Sequence, residues 1–453
     1  MSEPLPQALL MAVKLPGVES QEFDASLAEL ARLVTTLGYV VVGTITQQRT
    51  ALVSASVIGG GKLQQLAERT GGSGSTAPTL PKVKDKARLR REAEEEADEP
   101  DFEPYIGPDS SLGEGPIELI VADHELTPTQ LRNLERATGT SVLDRTGVII
   151  EIFHRHARTQ KARLEVEIAR LNYSAPRLRE SPRGKERQQG RGAGEAAIEL
   201  DRRRIRDRIA ELREQLEAIQ KEEGVRRSHR RDARRVALVG YTNAGKSSWM
   251  RMLTSSQVLV EDKLFATLDT TVRALAPETK PRILVSDTVG FIRKLPHDLV
   301  ASFKSTLDEA AEASLVIYVA DASDPDCEQQ LEVTRSVLAE IGAHTVPSHL
   351  LLNKVDQLTE EQRRDWQRKY PEAWLASSRD PADLARVRQL IVDFFESFYL
   401  EAELVVPYDR QALVSDMHEN GRVIEQEYAP EGVRVRFRAD RETLERLRSA
   451  LSA

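Results

Sequence analysis

The chain has 453 residues, more than one hydrophobic core commonly serves, so about three domains are expected. Its 40% hydrophobic content suffices for packed cores, but no uninterrupted apolar run approaches the roughly 18 residues of a membrane span. A single cysteine, Cys327, cannot form an internal disulfide, and MSEPLPQALLMAVKLP has no basic-then-apolar leader, so neither secretion nor membrane insertion is expected and a cytoplasmic protein is. The net charge of −8 is uneven: Arg155–Arg235 holds 24 Lys+Arg against 14 Asp+Glu, a surplus of +10, which leaves −18 on the remainder. Such a concentration is the footprint of contact with a phosphate-rich surface, and a solvated pair of charged helices is the competing account.

Residues 8–66 alternate strand and helix signals. Leu9–Val13 reads as a strand, Asp24 as the cap of a helix with Leu27, Leu30, Leu33, Val34 and Leu37 on one face, and Tyr39–Val42 as a buried strand. The glycine-rich turn Val57–Lys62 opens a helix at Leu63. It can hold a phosphate of RNA or of a second nucleotide, but it lacks phosphate-loop spacing and reads equally as a plain turn. Periodicity then disappears from Gly71 to Gly115, which predicts a mobile insertion with a short helix near Lys86–Ala97. It resumes with a strand at Ile117–Val121, a helix over Thr127–Ala137 with Pro128 in its first turn, and strands at Val142–Asp144 and Val148–Ile152. Alternating β and α units imply a parallel sheet, so residues 1–158 are read as an N-terminal α/β domain.

Thr159–Tyr173 is helical, with Leu164, Ile168 and Leu171 on one side. After the polar break Ser174–Gly194, Ile198, Ile205, Ile209, Leu212, Leu216 and Ile219 recur with the spacing of a coiled-coil seam. Residues 159–230 thus read as an antiparallel hairpin whose tip, with Arg183, Lys185, Arg187 and Arg191, can approach an RNA backbone. The clusters Arg202-Arg203-Arg204 and Arg226-Arg227 exceed what solubility asks of a helix, which favours nucleic-acid contact.

The strongest signal is Val236–Trp249, VALVGYTNAGKSSW. A buried strand breaks at Gly240 and a helix begins after Gly245, with G-x-x-x-x-G-K-S between Gly240 and Ser247. Glycines at both ends let the N–H groups of Tyr241, Thr242, Asn243, Ala244 and their neighbours face an anion. Lys246 can reach the β and γ phosphates, and the Ser247 hydroxyl can ligate Mg²⁺. In Phe265-Ala266-Thr267-Leu268-Asp269, Thr267 can place its side-chain oxygen on Mg²⁺ and its N–H on the γ phosphate, so sensing that phosphate. Asp287-Thr288-Val289-Gly290 ends a strand as D-x-x-G: Asp287 joins the Mg²⁺ shell through water, and the Gly290 N–H faces the γ phosphate. Asn353-Lys354-Val355-Asp356 reads guanine, whose N1–H and exocyclic amine suit the Asp356 carboxylate. Three ordered motifs on successive strand ends specify a P-loop GTPase, with Lys246, Thr267, Gly290 and Asn243 bearing on catalysis. Asn243 can ligate a monovalent cation such as K⁺ or simply hydrogen-bond the loop. Phe291 stands where Ras-like sites carry a water-orienting glutamine, so basal hydrolysis should be slow.

Taken together, GYTNAGKS at Gly240–Ser247, LFATLDTT at Leu264–Thr271, Asp287–Ala310, His124–Glu135, Asp144–Thr159 and the GAGE stretch at Gly192–Glu195 resemble HflX-type ribosome-associated GTPases over most of residues 8–400. The resemblance implies a protein whose GTP-bound form binds the large ribosomal subunit and its RNA, whose hydrolysis the ribosome stimulates, and which splits or rescues stalled ribosomes under stress. It makes Ser247 and Thr267 the Mg²⁺ ligands, Phe265–Asp269 and Asp287–Gly290 the switches, and Asn353–Asp356 the base reader. It places the late S-A-K/Q signature at Ala376-Ser377-Ser378, a departure that predicts weaker nucleotide affinity. The fold class is therefore α/β: a P-loop GTPase domain at 231–400, preceded by the N-terminal α/β domain and the helical hairpin. A small C-terminal α/β domain follows at 401–453, read from Leu404–Val406, a helix near Gln411–His418, Val433–Phe437 and a helix at Arg441–Leu451. A monomer is expected. The alternative function is a GTPase switch acting through a protein partner, in RNA modification or in ribosome assembly.

Overall fold

The computed structural model describes residues 5–52, 56–75, 115–177, 193–228, 234–255, 264–265, 271–294 and 309–452, with side chains of the longest helix described over 199–222. The chain divides near Glu217 into two compact units.

In the first unit, strands β1 (Gln7–Lys14), β2 (Val40–Gln48), β3 (Ile117–Ala122) and β4 (Ser141–Asp144) form a parallel sheet in the order β2-β1-β3-β4. β1 lies inside it, and its run Ala8–Val13 is buried on both faces, as a central parallel strand requires. Helices α1 (Ser20–Thr36), α2 (Gly60–Thr70), α3 (Pro128–Thr138) and α4 (Arg145–His156) connect and flank these strands. Thr127 caps α3 reciprocally with Gln130, and Pro128 fills its first position.

Three local expectations are corrected. α1 begins at Ser20, before Asp24, because the break falls earlier, at Gly17 with φ +85°. α2 begins at Gly60 rather than Leu63, since Gly59 is extended and gives its N–H to Gln47 Oε1 at 2.7 Å. Val148–Ile152 is helical rather than a strand: Asp144 accepts from Gly147 N at 2.8 Å, and this cap overrides the β-branched composition. The predicted insertion lies outside the described residues beyond Gly71–Ser75 and Gly115.

The fully buried Asp144 carboxylate also accepts from Leu126 N (3.1 Å), the Tyr173 hydroxyl (2.8 Å) and Arg177 (2.9 Å). It thereby ties α5 (Gln160–Ser174) to the end of β4. Burial and the Asp144 charge push the Tyr173 hydroxyl well above its usual range. α6 (Ala193–Ser228) buries Ile209 and Leu212 of the expected seam, and its Arg208 reaches Glu167 of α5 at 3.3 Å. The tip arginines and Lys185 lie outside the described residues.

The second unit holds a six-stranded sheet: β5 (Arg234–Val239), β6 (Thr271–Ala274), β7 (Ile283–Asp287), β8 (Leu315–Asp321), β9 (Ser348–Asn353) and β10 (Trp374–Leu375), in the order β10-β9-β8-β5-β7-β6. All pairings are parallel except that of β6. The helices include α7 (Lys246–Thr254), α8 (Cys327–Glu340), α9 (Glu360–Lys369) and α10 (Pro381–Glu396). β11 (Leu400–Val406), α11 (Ala412–Asn420), β12 (Arg422–Ala429), β13 (Gly432–Ala439) and α12 (Arg441–Ser452) build an antiparallel three-stranded sheet with its own core. β12 escapes sequence reading because most of its residues are exposed, with Val423 only partly buried against that core. Arg234, opening β5, pairs with Asp440 just before α12, and Arg422 pairs with Glu396 of α10 at 2.7 Å, so the small sheet is fastened to the root of the strand that carries the phosphate loop.

Candidate functional site

The apolar run of β5 must end where Gly240 turns at φ +151°; a Cβ there would stand 2.1 Å from the Val319 carbonyl oxygen. At Gly245, φ is +97° and a Cβ would stand 2.1 Å from Asn353 Nδ2. Only glycine fits either position, and the loop so formed curls over the N-terminus of α7, whose N–H groups and dipole favour an anion. Trp249 fills the core under this helix, with its indole N–H unpartnered among the described residues.

The Lys246 ammonium is buried and donates to Gly240 O (3.1 Å) and Tyr241 O (2.8 Å). A Cβ on Gly290 would lie 3.0 Å from this nitrogen and 2.7 Å from Thr242 Cγ2, so the D-x-x-G glycine rests against the lysine. The Thr242 hydroxyl is buried without a partner among the described residues. Asn243 is exposed at φ +61°, and its side chain makes no hydrogen bond to a described residue, which removes the loop-bonding role as its occupation.

Burial lowers the Lys246 pKa to about 8 against the opposing pull of Asp287. Phosphate binding needs the ammonium, so above this value binding must take up a proton. GDP affinity followed by calorimetry is expected to be flat from about pH 6.5 to 7.5 and then to fall by up to about tenfold per pH unit above pH 8. A flat profile to pH 9.5 would contradict this.

Ser247 Oγ donates to Asp287 Oδ2 at 2.6 Å, where the start of α7 meets the end of β7. A hydroxyl beside a carboxylate is the hard-oxygen set that suits Mg²⁺, so these two residues fit the ion. Phe265 is buried at φ +57°, whereas Ala266, Thr267, Leu268 and Asp269 lie outside the described residues.

Thr288 and Val289 are buried, the Thr288 hydroxyl donating to Leu238 O at 2.9 Å. Beyond Gly290 the chain pairs with the phosphate loop: Phe291 N donates to Gly240 O (3.1 Å), and Thr242 N to Phe291 O (2.8 Å). The Phe291 ring is buried in the interior. The Tyr241 hydroxyl accepts from Arg293 N at 2.7 Å, and the Arg293 guanidinium reaches Gln329 (2.7 Å) and Asp326 (3.2 Å) on and before α8.

At the end of β9, Asn353 Nδ2 donates to Ala244 O (2.8 Å) and its Oδ1 accepts from Ser378 N (3.2 Å), joining the Gly240–Ser247 loop to the loops that follow β9 and β10. Lys354 stands at φ +61° with Nζ 2.6 Å from Asp321 Oδ2, and Val355 is buried. Asp356 Oδ1 accepts from the Ser377 hydroxyl at 2.6 Å, and its Oδ2 lies 3.7 Å from Arg379. Ala376 extends the strand, its N–H bonding Leu352 O, and within Ala376-Ser377-Ser378 it is the Ser377 hydroxyl that meets the Asp356 carboxylate. Asp383, which accepts from Ser377 N at 2.7 Å, was not legible, and neither were Arg379 or Asp321.

The described part of the long helix is evenly charged. Over 199–222 there are seven basic and seven acidic residues. Arg204 pairs with Asp201 (3.0 Å), Arg206 with Glu199 (2.7 Å), and Arg208 with Glu211 (2.8 Å), so the Arg202–Arg204 cluster sits on a neutral, partly paired shaft. The described surplus instead lies over 155–177, with six basic residues against Glu165, which is buried, and Glu167.

Three family models match successive stretches of the chain: a GTP-binding GTPase N-terminal model over residues 24–76 and 110–154, a GTP-binding GTPase middle region over 156–230, and a 50S ribosome-binding GTPase model over 235–354. The chain is 56% identical to GTPase HflX of Gluconacetobacter diazotrophicus, over 99% of both chains. It belongs to the HflX GTPase family. It is also 40% identical to GTPase HflX of Escherichia coli, over 69% of this chain and 75% of that one. A crystal structure of a GTP-binding protein from Sulfolobus solfataricus in complex with GDP covers 85% of this chain and 98% of its own at 22% identity and a TM-score of 0.42. As an HflX GTPase the chain binds GTP and hydrolyses it to GDP and phosphate. Among the described residues no helix is long and apolar enough to cross a membrane.

Proposed function

We propose that this HflX GTPase is a GTP-driven switch that docks on RNA of the large ribosomal subunit, separates or rescues stalled ribosomes, and leaves on hydrolysis. Its working parts are the N-terminal domain (1–158), the hairpin (159–230), the GTPase domain (231–400) and the C-terminal domain (401–453). The observation that carries the docking step is the basic stretch 155–177, fixed to the N-terminal sheet by the buried Asp144, in contrast to the neutral shaft of α6. Cations concentrated at one place suit a polyphosphate surface better than a uniformly charged helix does.

In the site, Gly240–Ser247 holds the phosphates, Lys246 exchanges its two carbonyl partners for phosphate oxygens, and the Gly290 N–H meets the γ phosphate. Ser247 and Thr267 would hold Mg²⁺, with Asp287 bound through water; the ion supplies positive charge to the phosphates and orients them. Asn353, Lys354 and Asp356 read guanine, braced by Ser377. The Ser377 hydroxyl supplies that brace even though the triplet departs from the family's usual one. Asn243, unengaged by the loop, would hold K⁺ beside the phosphates.

Because Phe291 is buried and bridged to Tyr241, it cannot orient water, so purified protein should turn over slowly in Na⁺ buffer and faster with K⁺ or ribosomes. Fast hydrolysis in Na⁺ alone would refute this. Co-sedimentation with ribosomes is expected with a non-hydrolysable GTP analogue and to drop steeply as salt rises. Equal binding with GDP would defeat the switch, and salt-insensitive binding to a single protein would favour a protein-partnered GTPase instead.

A further inference from the structure

We propose that Asp321, at the end of β8, is a positioning residue for guanine: it fixes Lys354 so that the lysine's methylene stem forms a wall of the base site. The inference rests on the base-reading role given above to Asn353–Asp356. Lys354 stands at φ +61°, in the left-handed region that long side chains seldom adopt. Its ammonium lies 2.6 Å from Asp321 Oδ2, with the two side chains only 24% and 14% exposed. The other carboxylate oxygen accepts from Ser323 N (3.0 Å) and Ser323 Oγ (2.6 Å), so the acid is oriented independently of the lysine.

Parallel register sets Asp321 directly across from Asn353, and Ala322 N donates to Asn353 O at 3.0 Å. Acid and motif therefore occupy neighbouring strand ends, in the crevice where open α/β sheets take their ligands. Asn353 is held by Ala244 and Ser378, and Asp356 by Ser377, leaving Lys354 as the motif residue that Asp321 serves. A free lysine samples many rotamers, and pinning its ammonium orders the stem before a flat base arrives. The pair also cancels the lysine charge, so the wall offered to the ring is apolar.

The test uses the full chain and the release rates of fluorescent GDP and of its inosine analogue, which lacks the exocyclic amine. Asp321→Asn is expected to speed release of both by about tenfold and by the same factor, since the stem meets the ring face and not its edge; in a Lys354→Ala background the same change should add less than about twofold. Unchanged release, or the full factor repeated without the lysine, would overturn the proposal. Asp356→Asn separates the two levels. If it erases the preference for GDP over the inosine analogue while Asp321→Asn does nothing, only the positioning role fails. If the preference survives Asp356→Asn, the base-reading assignment itself fails.

Discussion

Lys246→Ala is expected to abolish tight guanine-nucleotide binding while leaving the fold intact. The ammonium is buried at the start of α7 and bonds two loop carbonyls, Gly240 O and Tyr241 O, that water can serve in its absence. Its charge is what the phosphates lose. Hydrogen bonds to charged groups contribute roughly 1.5–3 kcal/mol each, and two of them place the loss in Kd at or above about a hundredfold. Calorimetric titration with GDP checks the effect, and circular dichroism checks the fold. A folded variant that binds GDP within about tenfold of the parent would show that the lysine does not face phosphate.

Asp356→Asn should move the site away from guanine. The carboxylate is held by the Ser377 hydroxyl at 2.6 Å and lies near Arg379, a geometry that aims an acceptor pair outward. Guanine offers N1–H and an exocyclic amine to that pair. An amide presents one acceptor and one donor, so the amine loses its partner, whereas a base with a carbonyl in its place gains one. Sites built on such paired hydrogen bonds discriminate by about 10⁴, so GDP should weaken by at least about a hundredfold, with xanthosine diphosphate binding better than GDP. Competition between the two nucleotides reads the result directly, and retained preference for GDP would place base recognition elsewhere.

The phosphate loop, the D-x-x-G strand end and the N-K-x-D strand end were legible because their chemistry is local. Each is a contiguous stretch in which glycine freedom, one cation or one acid acts through nearby backbone. What escaped depends on partners far along the chain. Ser377 reveals its place only when its hydroxyl meets Asp356, and Asp321 only when β8 lies against β9. Arg293 needs Asp326 and Gln329 to fix the segment after Gly290. In the fold, one cap decided between strand and helix at Val148–Ile152, and composition there pointed the other way. How the hairpin charge is distributed depends on the helix. Arg202–Arg204 look like a patch when counted as a cluster, but on a helix they neighbour acids three and four residues away, and the shaft is neutral.

Guanine selectivity of the intact site is tested most directly by titrating the full chain with GDP and ADP in Mg²⁺ under identical conditions. Saturable one-to-one binding of GDP, with ADP weaker by about a thousandfold or more, is the expected result. Comparable uptake of both nucleotides, or of neither, would contradict a site in which Asp356 reads the base and Lys246 grips the phosphates.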